Sequence, residues 1–254
     1  MSKTSFHSVL SLICGNPGAS KSLMLLQTAA YWHSQGVKFA VYELERNRTF
    51  HLQRALAQQA SLAGLTNFEW IKANPDEARE AYIQHECFLN TFGENIDAHP
   101  DSQLTHQQIL NWIQSKARQG CRVIAVDPIT ALAPTGKESW TADNSFLQNT
   151  QRTATDYGCS VILITHPTKT VTFPDMNQLA GSAAYARFSE CILWLELHEP
   201  KDSNVKTDCG TTSLEHNRTL HLLKSRNGTG QGKKVAFNFD SKDLSLVELG
   251  LITK

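Results

Sequence analysis

Lys21 and Ser22 close the run Gly15-Asn16-Pro17-Gly18-Ala19-Ser20-Lys21-Ser22. This is the phosphate-loop pattern GxxxxGK[ST], with Ser20 where the second glycine belongs. The apolar stretch Val9–Cys14 precedes it and a helix-compatible stretch opens at Lys21. In such a loop, consecutive backbone N–H groups and the positive end of the helix surround phosphate oxygens. Residues 15 to 22 are therefore expected to cradle a nucleoside triphosphate. Lys21 would face the β- and γ-phosphates, and Ser22 would ligate Mg²⁺.

A second carboxylate-bearing strand supports the first motif. Cys121-Arg-Val-Ile-Ala-Val-Asp127 is an apolar run ending in an acid, and an aspartate at the carboxyl edge of a parallel sheet can hold Mg²⁺ through water. Hydrolysis further needs a group that orients or deprotonates the attacking water. Glu43 and Glu45, which close the run after the first helix, are candidates, with Glu45 preferred and Glu43 in reserve.

These groups must be positioned by a framework, and the hydropathy pattern describes one. Apolar runs at Val9–Cys14, Val37–Tyr42, Cys121–Val126 and Ser160–Thr165 read as buried strands. Helical spacing covers about Lys21 to His33, Arg48–Ala60, Ile109–Ala117 and Asn144–Tyr157. A further strand is expected near Cys87–Phe92. Alternation of strand and helix predicts an α/β fold with a mostly parallel sheet covered on both faces. Cys191–Leu197, Leu220–Leu223 and Val235–Phe239 follow with little helix between them and should finish the sheet antiparallel, while polar Pro200–Thr212 reads as an exposed loop. With no linker or repeat, the 254 residues read as a single domain.

Composition narrows the function classes. Hydrophobic residues at 41% and charged residues at 19% exclude wholesale disorder. Twenty-four basic residues balance 24 acidic ones, so no global basic field exists to hold a polyanion, and any nucleic-acid contact must be local or shared among copies. The six cysteines form no CxxC pair, which argues against a zinc ribbon and for a reducing compartment. The first apolar run is too short for a signal segment or a membrane span. A cytoplasmic protein without a membrane partner is the expectation.

Glu45 preceded by a leucine and followed nine residues later by Arg54 resembles the Leu-Glu pair of the RecA-type helicase cores of the DnaB, Twinkle and phage primase-helicase group, and of freestanding RepA-like helicases. Four more segments carry the likeness. Val161-Ile-Leu-Ile-Thr165-His166-Pro167-Thr-Lys169 is similar to the strand that ends His-Pro-x-Lys. Gly181-Ser182 with the residues up to Arg187, and then the run from Cys191, resemble the group's Gly-Ser turn, short helix and strand. Lys224-Ser-Arg226-Asn-Gly228 looks like its Lys-x-Arg segment. The resemblance implies a RecA-like fold, ATP and Mg²⁺ as cofactors, and Glu45 as catalytic base. It implies His166 as a sensor of the γ-phosphate and of bound DNA, and Lys224 and Arg226 as cations reaching the γ-phosphate of a neighbouring subunit. A guanidinium suits that last task because its planar fork matches phosphoryl oxygens.

By position, the two loops that in this group project into a ring's channel are Ala133–Asp143, with Lys137 and Trp140, and Pro167–Gly181, with Lys169 and Phe173; Arg187 lies close by. Lys137, Lys169 and Arg187 would contact single-stranded DNA through its phosphates. The implied activity is that of an ATP-dependent helicase motor, self-associated into a ring, with six subunits the expectation, and served by a primase or replication-initiation partner. Two departures stand beside it: Ser20, and only about seven residues before the first strand, which leaves no room for the group's linker helix and suits an excised domain or a freestanding protein. A RecA-fold ATPase acting as a regulatory or assembly switch is the alternative. A small-molecule kinase is a third reading, and it explains neither the Leu-Glu pair nor the Lys-x-Arg segment.

Overall fold

Short β-branched and leucine-rich runs become the strands of one sheet, because each is apolar on both faces and must be covered on both. The computed structural model describes residues 8–99, 103–133, 139–168, 173–179, 183–226 and 228–253. In chain order the strands and helices are β1 (Leu10–Cys14), α1 (Lys21–Ser34), β2 (Phe39–Glu43), α2 (Arg48–Ala60), α3 (Phe68–Ala73), α4 (Pro75–Gly93), β3 (Ile96–Ala98) and α5 (His106–Arg118). They continue with β4 (Val123–Asp127), α6 (Ser139–Tyr157), β5 (Ser160–Ile164), α7 (Ala183–Phe188), β6 (Cys191–Thr207), β7 (Gly210–Ser225), β8 (Lys234–Asp240) and β9 (Ser245–Ile252).

The strand order is β3-β2-β4-β5-β1-β6-β7-β8-β9. From β3 through β6 every neighbouring pair is parallel; from β6 onward the pairs are antiparallel. The far end of β6 also pairs with β9, so the last four strands curl back on themselves. Side chains on β1 and β2 alternate between two cores. Leu10, Leu12, Ala40 and Tyr42 pack with Ile109, Ile113, Phe146 and Leu147 of α5 and α6. Ile13, Phe39 and Val41 pack with Leu25, Leu26 and Ala29 of α1 and Ala55 of α2. A smaller cluster of Leu56, Leu65, Ala81 and Leu89 ties α4 to α2.

Three sequence expectations are corrected. Cys87–Phe92 lies in the last two turns of helix α4 and is not a strand. Pro75 in its first turn, with Asp76 and Glu77, starts that helix well upstream, and Phe88 stacks on Phe92 one turn later with ring centroids 4.9 Å apart. Pro200–Thr212 is exposed but is no loop: it forms the tip of a long hairpin in which Lys201 pairs with His216 and Thr207 with Gly210. Only Val205 is buried there, so the stretch has no apolar face to announce a strand. Finally, α6 opens at residue 139, so Trp140 and Asp143 belong to a helix and not to the expected loop.

Among the described residues no helix is long and apolar enough to cross a membrane.

Candidate nucleotide site

The carboxyl ends of β1, β2, β4 and β5 lie along one edge of the sheet, with Glu43 directly opposite Asp127 in the ladder. Chain order and spatial order part company here, since β5 and β4 separate β1 from β2. Open α/β sheets bind ligands outside such a switch point.

The loop after β1 owes its path to close packing. A Cβ on Gly15 would sit 2.2 Å from the carbonyl oxygen of Leu195 on β6, so only glycine fits. Gly18 has φ +78°, and Ala19 is fully buried, its N–H donating to the Asn16 carbonyl at 3.1 Å. Ser20 then takes φ 75° and ψ 27°, left-handed geometry in which its hydroxyl does not cap α1. The first amides of α1 are thereby left for a ligand.

The missing glycine thus leaves a serine in a conformation that costs a non-glycine residue roughly 1–2 kcal/mol. Part of that would be offset by the extra freedom glycine has in the unfolded chain. Ser20→Gly is expected to stabilise the protein by up to about 1 kcal/mol, seen as a melting temperature raised by roughly 2–4 °C. A lower melting temperature would mean that the serine side chain contributes more than its backbone strain costs.

Lys21 is buried and bends back over the loop, its Nζ donating to the carbonyls of Gly15 at 2.6 Å and Asn16 at 3.2 Å. Burial lowers its pKa, while Asp127, Cys14 and Glu45 act against that. Asp127 is wholly enclosed, and burial pushes its carboxyl up to about 6 despite a hydrogen bond from the Ser22 hydroxyl and the nearby Lys21. Its Oδ2 is buried without a hydrogen-bond partner among the described residues.

Glu43, the last residue of β2, and Glu45, two residues beyond it, have different surroundings. Glu43 is 2% exposed; its Oε2 lies 3.3 Å from Nε2 of His51 on α2. Burial, followed by the neighbouring Asp127, drives its pKa well above the ordinary range, and burial lowers that of His51 to about 4. Glu45 is more than half exposed, and its Oε1 stands 3.7 Å from Nε2 of His166. Burial, then Lys21, depresses the His166 pKa, so its ring is neutral at neutral pH.

A cavity of about 450 Å³ opens at this edge. Pro17, Gly18, Ser20, Lys21, Ser22, Glu45, Asp127 and His166 line it, as do Arg54, Arg218 and Phe239. Sequence reasoning missed the last two. Arg218, on β7, is 7% exposed, and its Nη2 reaches the Gly18 carbonyl at 3.5 Å. Its guanidinium lies 5.1 Å from the ring centre of Phe239 on β8. Asn217 fixes that ring by exchanging two hydrogen bonds with the Phe239 backbone, at 3.1 and 2.8 Å. No local motif marks these residues; the register of antiparallel strands brings them to the loop.

Lys224 and Arg226 are not in this cavity. Lys224 Nζ donates to the Ala186 carbonyl at 2.6 Å, and Arg226 Nη2 to the Arg187 carbonyl at 2.9 Å, so both cations lie against the end of α7. Arg226 N–H also bonds the carbonyl of Glu190, whose own N–H bonds that of Leu10, the first residue of β1. The group therefore sits at the amino edge of the sheet. Arg218 and Arg226 share one stretch of chain but are roughly 25 Å apart at strand rise. Lys137 and Lys169 lie outside the described residues, as do Gly181 and Ser182.

Fold and site define a RecA-like P-loop nucleoside-triphosphatase core. Residues 7–171 match a protein family described as an AAA domain, and the chain belongs to that family. Its structure is similar to a solved helicase ATPase domain, with a TM-score of 0.72 and 17% identity over 95% of this chain and 85% of that one. It is also similar, at a TM-score of 0.72 and 17% identity, to a DnaB-like replicative helicase whose structure was determined together with its interactions with primase. There, 94% of this chain spans 57% of the other. The fold is that of a DnaB-like helicase ATPase core. A search of curated proteins finds no match.

Proposed function

We propose that the chain is the motor domain of an ATP-dependent DNA helicase, acting in the cytoplasm as a ring of copies, six in the simplest case, that hydrolyses ATP between subunits and moves along single-stranded DNA. The observation that carries this reading is the division of the catalytic groups between two edges of one sheet. The phosphate loop, Asp127, Glu45 and His166 share a cavity at the carboxyl edge. Lys224 and Arg226 occupy the amino edge, held by carbonyls of α7 and too far to serve that cavity, and would instead serve a neighbour's.

Lys21 would exchange the Gly15 and Asn16 carbonyls for the β- and γ-phosphates. Arg218 and Phe239 offer a cation and an aromatic face at the mouth, suited to a nucleobase. Ser22 and Asp127 would hold Mg²⁺, and the unpartnered, buried Oδ2 of Asp127 fits that assignment. Among the described residues no cluster of three His, Cys, Asp or Glu side chains is disposed to hold a metal. When bound, Mg²⁺ neutralises charge on the β- and γ-phosphoryl oxygens.

Glu45 would take the proton of the attacking water, with neutral His166 holding its carboxylate. Glu45→Gln is expected to lower turnover at least a hundredfold while nucleotide binding persists, because an amide cannot act as a base. Glu43→Gln should change turnover far less, since Glu43 is enclosed with His51. Turnover and equilibrium nucleotide binding measured on both variants decide between the two acids; the opposite ranking would make Glu43 the base.

The reading as a whole is tested by ATPase assays with and without single-stranded DNA, alongside strand displacement on a forked duplex. Stimulation and unwinding are expected. Hydrolysis that ignores DNA would favour the switch, in which the same core regulates or assembles without unwinding. A phosphorylated small-molecule product would favour a kinase.

A further inference from the structure

A bulge in the β6–β7 hairpin gathers two histidines and a threonine beside the phosphate loop. Leu197 pairs with Arg218, and the next pair of the ladder is Lys201 with His216, so β6 advances from 197 to 201 while β7 passes only from 218 to 216. Both members of the first pair meet Gly18. A Cβ there would touch the Leu197 side chain at 3.7 Å, and Arg218 Nη2 faces the Gly18 carbonyl. The register of β7 against this bulge therefore decides whether Arg218 stays on the loop.

The residue after each member of that pair, His198 and Thr219, belongs to one hydrogen-bonded chain. His198 Nδ1 lies 2.8 Å from the Glu199 carbonyl, which can only accept, so that nitrogen carries the proton. Its Nε2 is then a lone pair and accepts the Thr219 hydroxyl at 2.9 Å. One hydroxyl proton cannot serve two lone pairs, so His216 Nε2, 3.2 Å from the same oxygen, donates to it. The two rings meet edge to face with centroids 4.9 Å apart. His216 and Thr219 are buried, and His216 Nδ1 has no hydrogen-bond partner among the described residues. Burial, above all, holds both imidazoles below the ordinary histidine range. At His198 the Glu199 carbonyl and Glu196 act against it, while Lys201 and Arg218 act with it. At His216 the His198 ring and Lys201 act with burial, and the Leu214 and Lys201 carbonyls against it. Glu196 is itself engaged by His221 at 2.8 Å.

We propose that His198, Thr219 and His216 are positioning residues for Arg218: their chain locks the bulge that holds Arg218 on the phosphate loop, and acid weakens nucleotide binding by breaking the lock. The chain is complete only with both rings neutral. A proton on His198 Nε2 turns that nitrogen into a second donor to the Thr219 oxygen and leaves the buried hydroxyl proton without an acceptor. A proton on His216 places a charge in an enclosed site beside Lys201. Released from the bulge, the rings would titrate near the ordinary value of about 6.5. The lock is therefore fully present above that pH and is lost as the pH falls below it through the lowered values. None of the three residues lines the cavity. The inference rests on reading that cavity as the nucleotide site and adds to it a control from outside.

The test joins nitrogen NMR of the histidine rings to equilibrium binding of a fluorescent ADP analogue with Mg²⁺ over a pH series from neutrality into the acid range. In the wild-type protein at neutral pH, with the rings assigned through their backbone resonances, His198 should be the Nδ1–H tautomer and His216 the Nε2–H tautomer. That measurement needs no variant to fold, and any other pair of states overturns the chain. Thr219→Val keeps the shape and removes the hydroxyl. It is expected to weaken nucleotide binding roughly two- to tenfold at neutral pH, the worth of one hydrogen bond. The gap to wild type should narrow as the pH falls, because acid breaks the wild-type chain as well, and Thr219→Ser should restore both affinity and pH profile. Taking the ratio to wild type at each pH cancels the titration of the nucleotide and of the cavity. An unchanged affinity in Thr219→Val overturns the inference and leaves the nucleotide site standing. So does a gap that stays constant with pH, which would make Thr219 a packing residue alone. A wild-type chain that binds no nucleotide overturns the nucleotide site itself, and this inference with it.

Discussion

Lys21→Ala is expected to abolish ATP hydrolysis, with turnover falling by about a thousandfold or more. The side chain is buried among the loop carbonyls that a bound phosphate chain would displace. Removing it strips the site of the one cation at the head of α1, where charge grows on the γ-phosphoryl group. Loss of a single preorganised electrostatic contact of this kind costs about 10²–10³ in turnover, and a full charge inside an enclosed site belongs at or beyond the upper end. The protein should still fold. Burial already disfavours the Lys21 ammonium, so what the native state loses is chiefly the packing of the aliphatic stem. Phosphate release measured beside thermal melting separates the two effects. Turnover at the wild-type rate in a folded variant would remove the phosphate-loop assignment.

How much of this is legible in the sequence differs between the two halves of the chain. Leu10–Cys14, Lys21–Ser34 and Arg48–Ala60 follow from local rules: an apolar run closed by a glycine-bearing loop, and apolar residues at helical spacing. The end of α4 mimics a strand because six residues around Phe88 and Phe92 hold two aromatics and a leucine, while the helix that contains them begins well upstream at Pro75. The tip of the β6–β7 hairpin mimics a loop because it is polar on both faces. β9 escapes a local reading: Gly250, at φ +135°, interrupts its apolar run, yet it is there that the strand passes tight against β6, since a Cβ would lie 2.4 Å from the Lys206 carbonyl.

The site divides the same way. Lys21, Ser22, Glu45, Asp127 and His166 each stand at or just beyond the end of an apolar strand or at the head of a helix, and a parallel sheet with a switch point brings such positions to one edge. Arg218 and Phe239 enter through the register of β7 and β8, a long-range property that no short window contains.

The amino-edge cations yield the prediction that bears on assembly. Arg226→Ala is expected to cut ATP turnover by about a thousandfold, the cost of losing a guanidinium that stabilises charge on a transferring phosphoryl group. ATP binding should largely survive, because every group that lines the nucleotide cavity is intact. The residue's own cavity is out of reach: Arg226 bonds Glu190, which bonds the start of β1, whereas the phosphate loop follows its end. A large loss would therefore have to act between chains. Mixing Arg226→Ala chains with Lys21→Ala chains then provides the decisive comparison, under conditions where wild-type chains assemble and turn over. An interface that pairs the intact phosphate loop of an Arg226→Ala chain with the intact Arg226 of a Lys21→Ala chain is complete. Mixed assemblies should recover part of the wild-type rate, while each variant alone stays silent. Recovery would also show that hydrolysis requires at least two chains, which ties the ring to the chemistry and not only to DNA. Wild-type turnover in Arg226→Ala alone would eliminate the residue as a finger. Loss without recovery on mixing would mean that Arg226 acts inside its own chain, by holding α7 through the Arg187 carbonyl, and the argument for hydrolysis between subunits would fall with it.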